Sequence, residues 1–137
     1  MKRHSLYGAR ILESATSPII QCARVVALSH HERFDGTGYP HGLSGQAIPI
    51  FGRICAIADV YDALVSKRPY KDAYPEEVAL SIMGKERGRH FDPAVLDVFL
   101  ENARAFAEIR IRLGDGGTEN APGGLVMPPW PGPVFPG

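Results

Sequence analysis

His30 and His31 are neighbours, followed at once by Glu32, Asp35 and a glycine-laced run that closes on Gly38, Tyr39 and Pro40. Imidazole is the commonest side-chain ligand for transition metals. Consecutive residues at a helix end point roughly 100° apart, so such a pair can reach two metal positions, or one metal and one supporting partner. A second stretch, "ICAIADVYDALV" over residues 54–65, is apolar apart from Asp59 and Asp62, three residues apart on a face shared with Cys55. Burying an ionised carboxylate costs on the order of several kcal/mol unless a cation, strong donors or a helix end compensates it. Imidazole and carboxylate together suit iron, manganese or zinc. His4 is a third imidazole, although nothing local fixes its direction. Taken singly, a histidine on an apolar stripe is an ordinary core residue, and an aspartate near another is an ordinary cap or ion-pair member. The combination favours a metal, although its spacing is no standard ligand signature.

The elements that must position these groups read as helices, with no alternating strand pattern. A first helix spans about His4 to Glu13, and a second begins at Ser17-Pro18 with Ile19, Ala23, Val26 and His30 as its apolar stripe. From His31 to about Pro49 the chain is loop, punctuated by Gly36, Gly38, Gly42 and Gly45. Gly36 and Gly38 are expected to use backbone angles closed to other residues. A third helix, apolar nearly all round and so expected to be buried, covers roughly Ile50 to Ser66. Pro75-Glu76-Glu77 opens a fourth. Phe91-Asp92-Pro93 opens a fifth, with Asp92 as cap, Phe91 stapled to Leu96, and Phe99, Ala103 and Phe106 continuing one face. The expectation is an all-α bundle of about five helices over residues 1–113. Residues 114–137 hold seven of the 15 glycines and six of the 12 prolines, which predicts a disordered tail.

With 137 residues, 15 basic against 15 acidic side chains and zero formal net charge, the chain has room for one domain and no global field for DNA or an anionic membrane. Cys22 and Cys55 sit in apolar helical patterns and read as small core residues of a reducing compartment. No apolar run reaches membrane-spanning length and the start lacks a signal-peptide pattern, so a cytoplasmic location is expected.

Four segments, in order, resemble the HD-GYP branch of the HD phosphohydrolases: "MKRHSLYGARIL", "HHERFDGTGYPHGLSGQAIP", "RICAIADVYDALVSKRPYK" and "GRHFDPAVLDVFL". The resemblance implies an all-α fold, a two- or three-metal iron or manganese centre, and hydrolysis of cyclic di-GMP to pGpG and GMP in bacterial signalling. It implies metal ligation by His4, His30, His31 and Asp59, and substrate contacts from Arg68, Lys71 and Tyr39. The Gly38-Tyr39-Pro40 triplet corresponds to the motif that shapes the site rim and is associated with docking of diguanylate cyclases. Glu32, Asp35 and Asp62 are expected to be supporting or structural groups. A cyclic dinucleotide carries two phosphodiester charges, for which Arg68 offers a planar fork and Lys71 a movable point charge.

The sequence contains no His-Asp dipeptide, the pair for which the superfamily is named. The chain is therefore expected to correspond to the C-terminal portion of such a domain. It should hydrolyse cyclic di-GMP poorly by itself, and its uncovered apolar faces should favour association, a homodimer included. The competing expectation is a non-catalytic module that docks a signalling partner through the Gly38–Pro40 loop. A third keeps hydrolysis but takes another cyclic or phosphorylated nucleotide.

Overall fold

The structure, a computed structural model, describes residues 2–114; the tail expectation for 115–137 lies outside the described residues. These residues form six helices: α1 (His4–Ile11), α2 (Pro18–Ser29), α3 (Ile50–Val65), α4 (Glu76–Lys85), α5 (Pro93–Glu101) and α6 (Ala103–Gly114). A single 3-10 turn, Gly45–Ala47, interrupts the long loop between α2 and α3. Among the described residues there is no strand, only isolated bridges such as Asp35 with Ser44. The described residues are all-α, as their periodicity predicts.

α3 is the centre. It packs on α2, α4 and α5, and eight of its 16 residues are buried. Ile57, Val60, Tyr61, Leu64 and Val65 meet Ala79 and Met83 of α4, and Phe91, Leu96 and Phe99 at and within α5. Burying each large apolar side chain contributes roughly 1.5–3 kcal/mol. Asp92 caps α5 as its sequence position predicts, accepting from Ala94 N at 2.9 Å and Val95 N at 3.4 Å, while Arg53 Nη1 donates to its other oxygen at 2.6 Å. Phe91 and Leu96 are both fully buried beside that cap, as a hydrophobic staple requires.

The fifth helix predicted from the sequence is two helices. Asn102 breaks it: its side-chain amide donates back to Val98 O at 2.8 Å, and its carbonyl restarts the chain by accepting from Ala105 N and Phe106 N. Asparagine competes with the helix ladder in this way, and apolar periodicity does not register it. The predicted stripe of α2 also differs. Ile19 is 81% exposed and Ala23 is exposed, whereas Ser29 is buried where α2 crosses α3. A Cβ on Gly52 would fall 2.6 Å from Ser29 Cβ, so glycine permits the crossing. α2 is apolar on nearly every side, so periodicity could not choose its packed face. Apolar side chains stay exposed on α1 and at the start of α3 as well, Ile11 at 80% and Phe51 at 51% among them.

Candidate metal centre

The end of α2 delivers two imidazoles. His30 is the C-cap residue, and its Nδ1 lies 2.8 Å from Val26 O. A carbonyl only accepts, so Nδ1 carries the proton in this contact and Nε2 keeps its lone pair outward. His31, one residue on, stacks its ring on Tyr39 at 4.9 Å between centroids and 24° between planes. His4, in the first turn of α1, completes the set with Nε2 3.0 Å from His31 Nε2. One ring nitrogen from each of His4, His30 and His31 falls within 4.8 Å of the other two. Two nitrogens about 2.1 Å from one ion and at right angles to each other stand about 3.0 Å apart, so the His4–His31 pair has the separation of adjacent ligands.

Electrostatics favours the lone pairs. Burial, then the His30 and His4 charges, pushes the His31 pKa down to about 4, and burial lowers that of His30. Both rings are thereby neutral at physiological pH, the form that ligates. The donor set fits a transition metal held by His4, His30 and His31.

Asp59 is not within that close group. It is half-buried on α3, and burial followed by the Asp62 charge raises its pKa to about 6, against the lowering field of Arg68. Burial, and after it the Asp59 charge, raises the pKa values of Tyr39 and Cys55. Asp62, which the apolar run predicts to be buried, is exposed and accepts from Ser66 Oγ at 3.1 Å. It continues a solvent-facing stripe of α3, with Ile54 and Ala58 exposed two turns and one turn before it, so it needs no compensating cation. The two cysteines are free and half-buried.

The glycine-rich loop forms a wall of the site. Glu32 is buried to 2% exposure, and its two carboxylate oxygens accept from His41 N at 2.7 Å and Leu43 N at 2.9 Å. Tyr39 N donates to His31 O at 3.1 Å. Gly36 has φ +83°, as the turn predicts, but Gly38 is not in the left-handed region. Its reason is proximity: a Cβ there would stand 2.5 Å from His31 O and 2.6 Å from the Glu32 carbonyl carbon. Asp35 closes its own turn, accepting from Thr37 N at 3.0 Å and Thr37 Oγ1 at 2.6 Å. These are structural tasks for Glu32 and Asp35, legible in their types but not in their partners.

Beside this wall a cavity of about 720 Å³ opens between α3 and α4, lined among others by Arg68, Lys71, Arg33, Tyr70, Tyr74 and His90. Arg68 and Lys71 are held by a reciprocal turn, each amide donating to the other's carbonyl at 2.8 and 3.1 Å. Lys71 Nζ sits 4.5 Å from the centre of the Tyr74 ring. His90 carries no role in the sequence pattern. It stacks on Phe91 at 4.4 Å, and burial followed by Arg33 lowers its pKa to about 4. Its position before a buried helix-start aromatic was the available signal.

The HD domain family profile matches residues 1–95. The chain belongs to the HD-domain family. Its relatives place it in the HD-GYP branch. It is 47% identical over 109 residues to the Xanthomonas campestris protein named cyclic di-GMP phosphodiesterase response regulator RpfG, covering 80% of this chain and 29% of that one. It is 42% identical over 120 residues to a Thermotoga maritima cyclic di-GMP phosphodiesterase, covering 88% and 33%. It is 44% identical over 115 residues to the Vibrio cholerae 3'3'-cGAMP-specific phosphodiesterase 2, covering 84% and 22%. The HD-GYP chain described here thus spans about a third or less of these curated relatives. An HD-domain phosphodiesterase family implies a divalent metal, and the histidine cluster is suited to hold one. Among the described residues no helix is long and apolar enough to cross a membrane.

Proposed function

We propose that this chain carries the metal-binding and phosphate-gripping part of a phosphodiesterase that hydrolyses cyclic di-GMP to pGpG and GMP. The observation that carries this reading is the convergence of His4, His30 and His31, with ring nitrogens within 4.8 Å, where His31 feels the charge of His90, a residue lining the cavity that contains Arg68 and Lys71. In this reading His4, His30, His31 and Asp59 hold iron or manganese, in a dinuclear or trinuclear centre when the shell is complete. The metal, when bound, supplies a nucleophile from water and offsets charge on phosphorus. Arg68 clamps a phosphate through its fork and Lys71 follows the second charge. Tyr39 holds His31 by stacking and forms the rim with Gly38 and Pro40. Glu32 anchors that rim, Asp35 shapes its turn, and Asp62 tunes Asp59 through charge.

The candidate ligands within these 137 residues are three imidazoles and one carboxylate, without an adjacent His-Asp pair, and on this reading turnover by these residues alone should be weak. The test is hydrolysis of cyclic di-GMP beside 3'3'-cGAMP by protein loaded with Fe or Mn, with His31→Ala as control. Metal-dependent pGpG formation abolished by His31→Ala supports the reading. Metal-independent turnover, or turnover untouched by that substitution, refutes it. Preference for the second nucleotide keeps the chemistry and changes the substrate.

A second reading rests on the exposed apolar side chains of α1, α2 and α3, with Ile19 at 81% and Ile11 at 80% exposure. On it, the chain is a docking module for a diguanylate cyclase or a second copy of itself, working from the cytoplasm. Nucleotide-independent association, lost when Ile19 is made polar, would favour this reading over catalysis.

A further inference from the structure

A second cavity, of about 500 Å³, opens between α1 and α2 and shares no lining residue with the one at Arg68. Arg3 and Arg10 enter it from the start and last turn of α1, Arg24 from α2 and His41 from the loop. Three guanidinium groups there face one carboxylate, Glu13, whose Oε1 is 3.7 Å from Arg24 Nη2 and whose side chain is 64% exposed. In a chain of zero net charge this is a local excess of cations. Arg24 Nε is also buried with no hydrogen-bond partner among the described residues. The Arg24 side chain as a whole is 43% exposed, so its charge reaches the cavity although Nε itself is closed to water. Leu28 and Tyr7 add apolar wall to the same cavity.

We propose that this cavity binds a small phosphomonoester bearing a flat apolar part, the class to which nucleoside monophosphates belong. Planar guanidinium forks match phosphate oxygens pairwise, and several are needed to neutralise a dianion. Tyr7 and Leu28 supply the surface for the rest of the ligand. His41 belongs to the loop that Glu32 fastens and that lays Tyr39 on His31, so a ligand seated against His41 acts on the wall of the metal centre. The site does not depend on the metal-centre reading, since none of its residues is a candidate metal ligand.

The experiment is a titration of the full chain, in chelator and at constant ionic strength, with inorganic phosphate and with GMP, followed by amide NMR. Saturable shifts are expected at residues 3–10, 24–28 and 41, with GMP binding more tightly than phosphate. Arg24→Ala should weaken GMP about tenfold or more. Glu13→Gln, which removes the competing carboxylate and keeps every cation, should tighten it severalfold. Absence of saturable shifts, shifts confined to residues 67–74, GMP no tighter than phosphate, equal affinity in Arg24→Ala, or unchanged or weaker affinity in Glu13→Gln overturns the proposal.

Discussion

His4 Nε2 and His31 Nε2 lie 3.0 Å apart although 27 residues separate them in sequence. Two imidazole nitrogens at that distance share one proton, or they share an ion. The second arrangement uses both lone pairs and also satisfies His30, whose Nδ1 is already committed to Val26 O. His31→Ala should therefore weaken manganese or iron binding at least about 100-fold, since even changes to groups that only orient ligands cost 10- to 100-fold. Calorimetric titration of the chain with metal checks this. His41→Ala, outside the cluster, should bind metal as the parent does.

Glu32 should matter more for stability than for chemistry. Its carboxylate is buried and accepts two part-buried backbone N–H groups, from His41 and Leu43, that its removal would leave without this partner. Glu32→Ala removes the acceptor of both and should cost about 1–3 kcal/mol. Glu32→Gln keeps one carbonyl acceptor and should cost less. Urea midpoints of the two variants test the order; equal losses would mean the carboxylate is not the clasp described.

His90 gives a pH dependence with a definite sign. Its folded pKa, depressed to about 4 by burial and then by Arg33, lies below the ordinary histidine value of 6.5. Between those values the unfolded chain binds a proton that the folded chain refuses. Folding is therefore favoured fully above about pH 6.5, and stability falls as pH drops towards 4. The full window amounts to about 3 kcal/mol. His90→Gln should lose its share of this slope, measured as the change in urea midpoint between pH 7.5 and pH 5. An identical slope in the variant would remove His90 as its source.

Gly38→Ala should damage the site from a position that ligates nothing. The added Cβ would stand 2.5 Å from His31 O, and rigid backbone cannot yield as a flexible side-chain end does. Overpacking of this kind costs about 1–3 kcal/mol, and here the displaced segment carries both His30 and His31. Stability and metal affinity should fall together. A variant with parental metal affinity and lowered stability would show that the loop and the imidazoles are mechanically independent.

What the sequence made legible follows from what each signal measures. Helix starts at Pro18, Pro75 and Asp92 were readable because the signals at a helix start are local, whereas Arg68 and Lys71 were singled out only by the family resemblance. The break at Asn102 was not, because a side chain bonding back to Val98 O leaves the apolar rhythm of residues 96–106 intact. Nor was the face of α2, where Ile19 stays at 81% exposure while Ser29 is buried against Gly52. That choice is made by close approach between helices, which one helix's periodicity does not contain. His4 joins His31 through the packing of α1 on α2, so its direction became readable only with the tertiary structure.

Arg68 joins the cavity to the candidate metal centre, and its substitution should separate their contributions. It lines the cavity, and its charge lowers the Asp59 pKa against burial and the Asp62 charge, which raise it to about 6. Arg68→Ala should weaken cyclic di-GMP binding to metal-loaded chain by about tenfold or more, the loss expected for a charged hydrogen-bonding partner. Arg68→Lys keeps the positive field on Asp59 but lacks the planar fork, so it should preserve metal affinity and recover only part of the nucleotide affinity. Paired titrations with metal and then with nucleotide distinguish the two effects. If Arg68→Lys restored nucleotide binding fully, the arginine would be acting as a point charge alone. If neither variant changed nucleotide binding, the phosphates would not be held at Arg68.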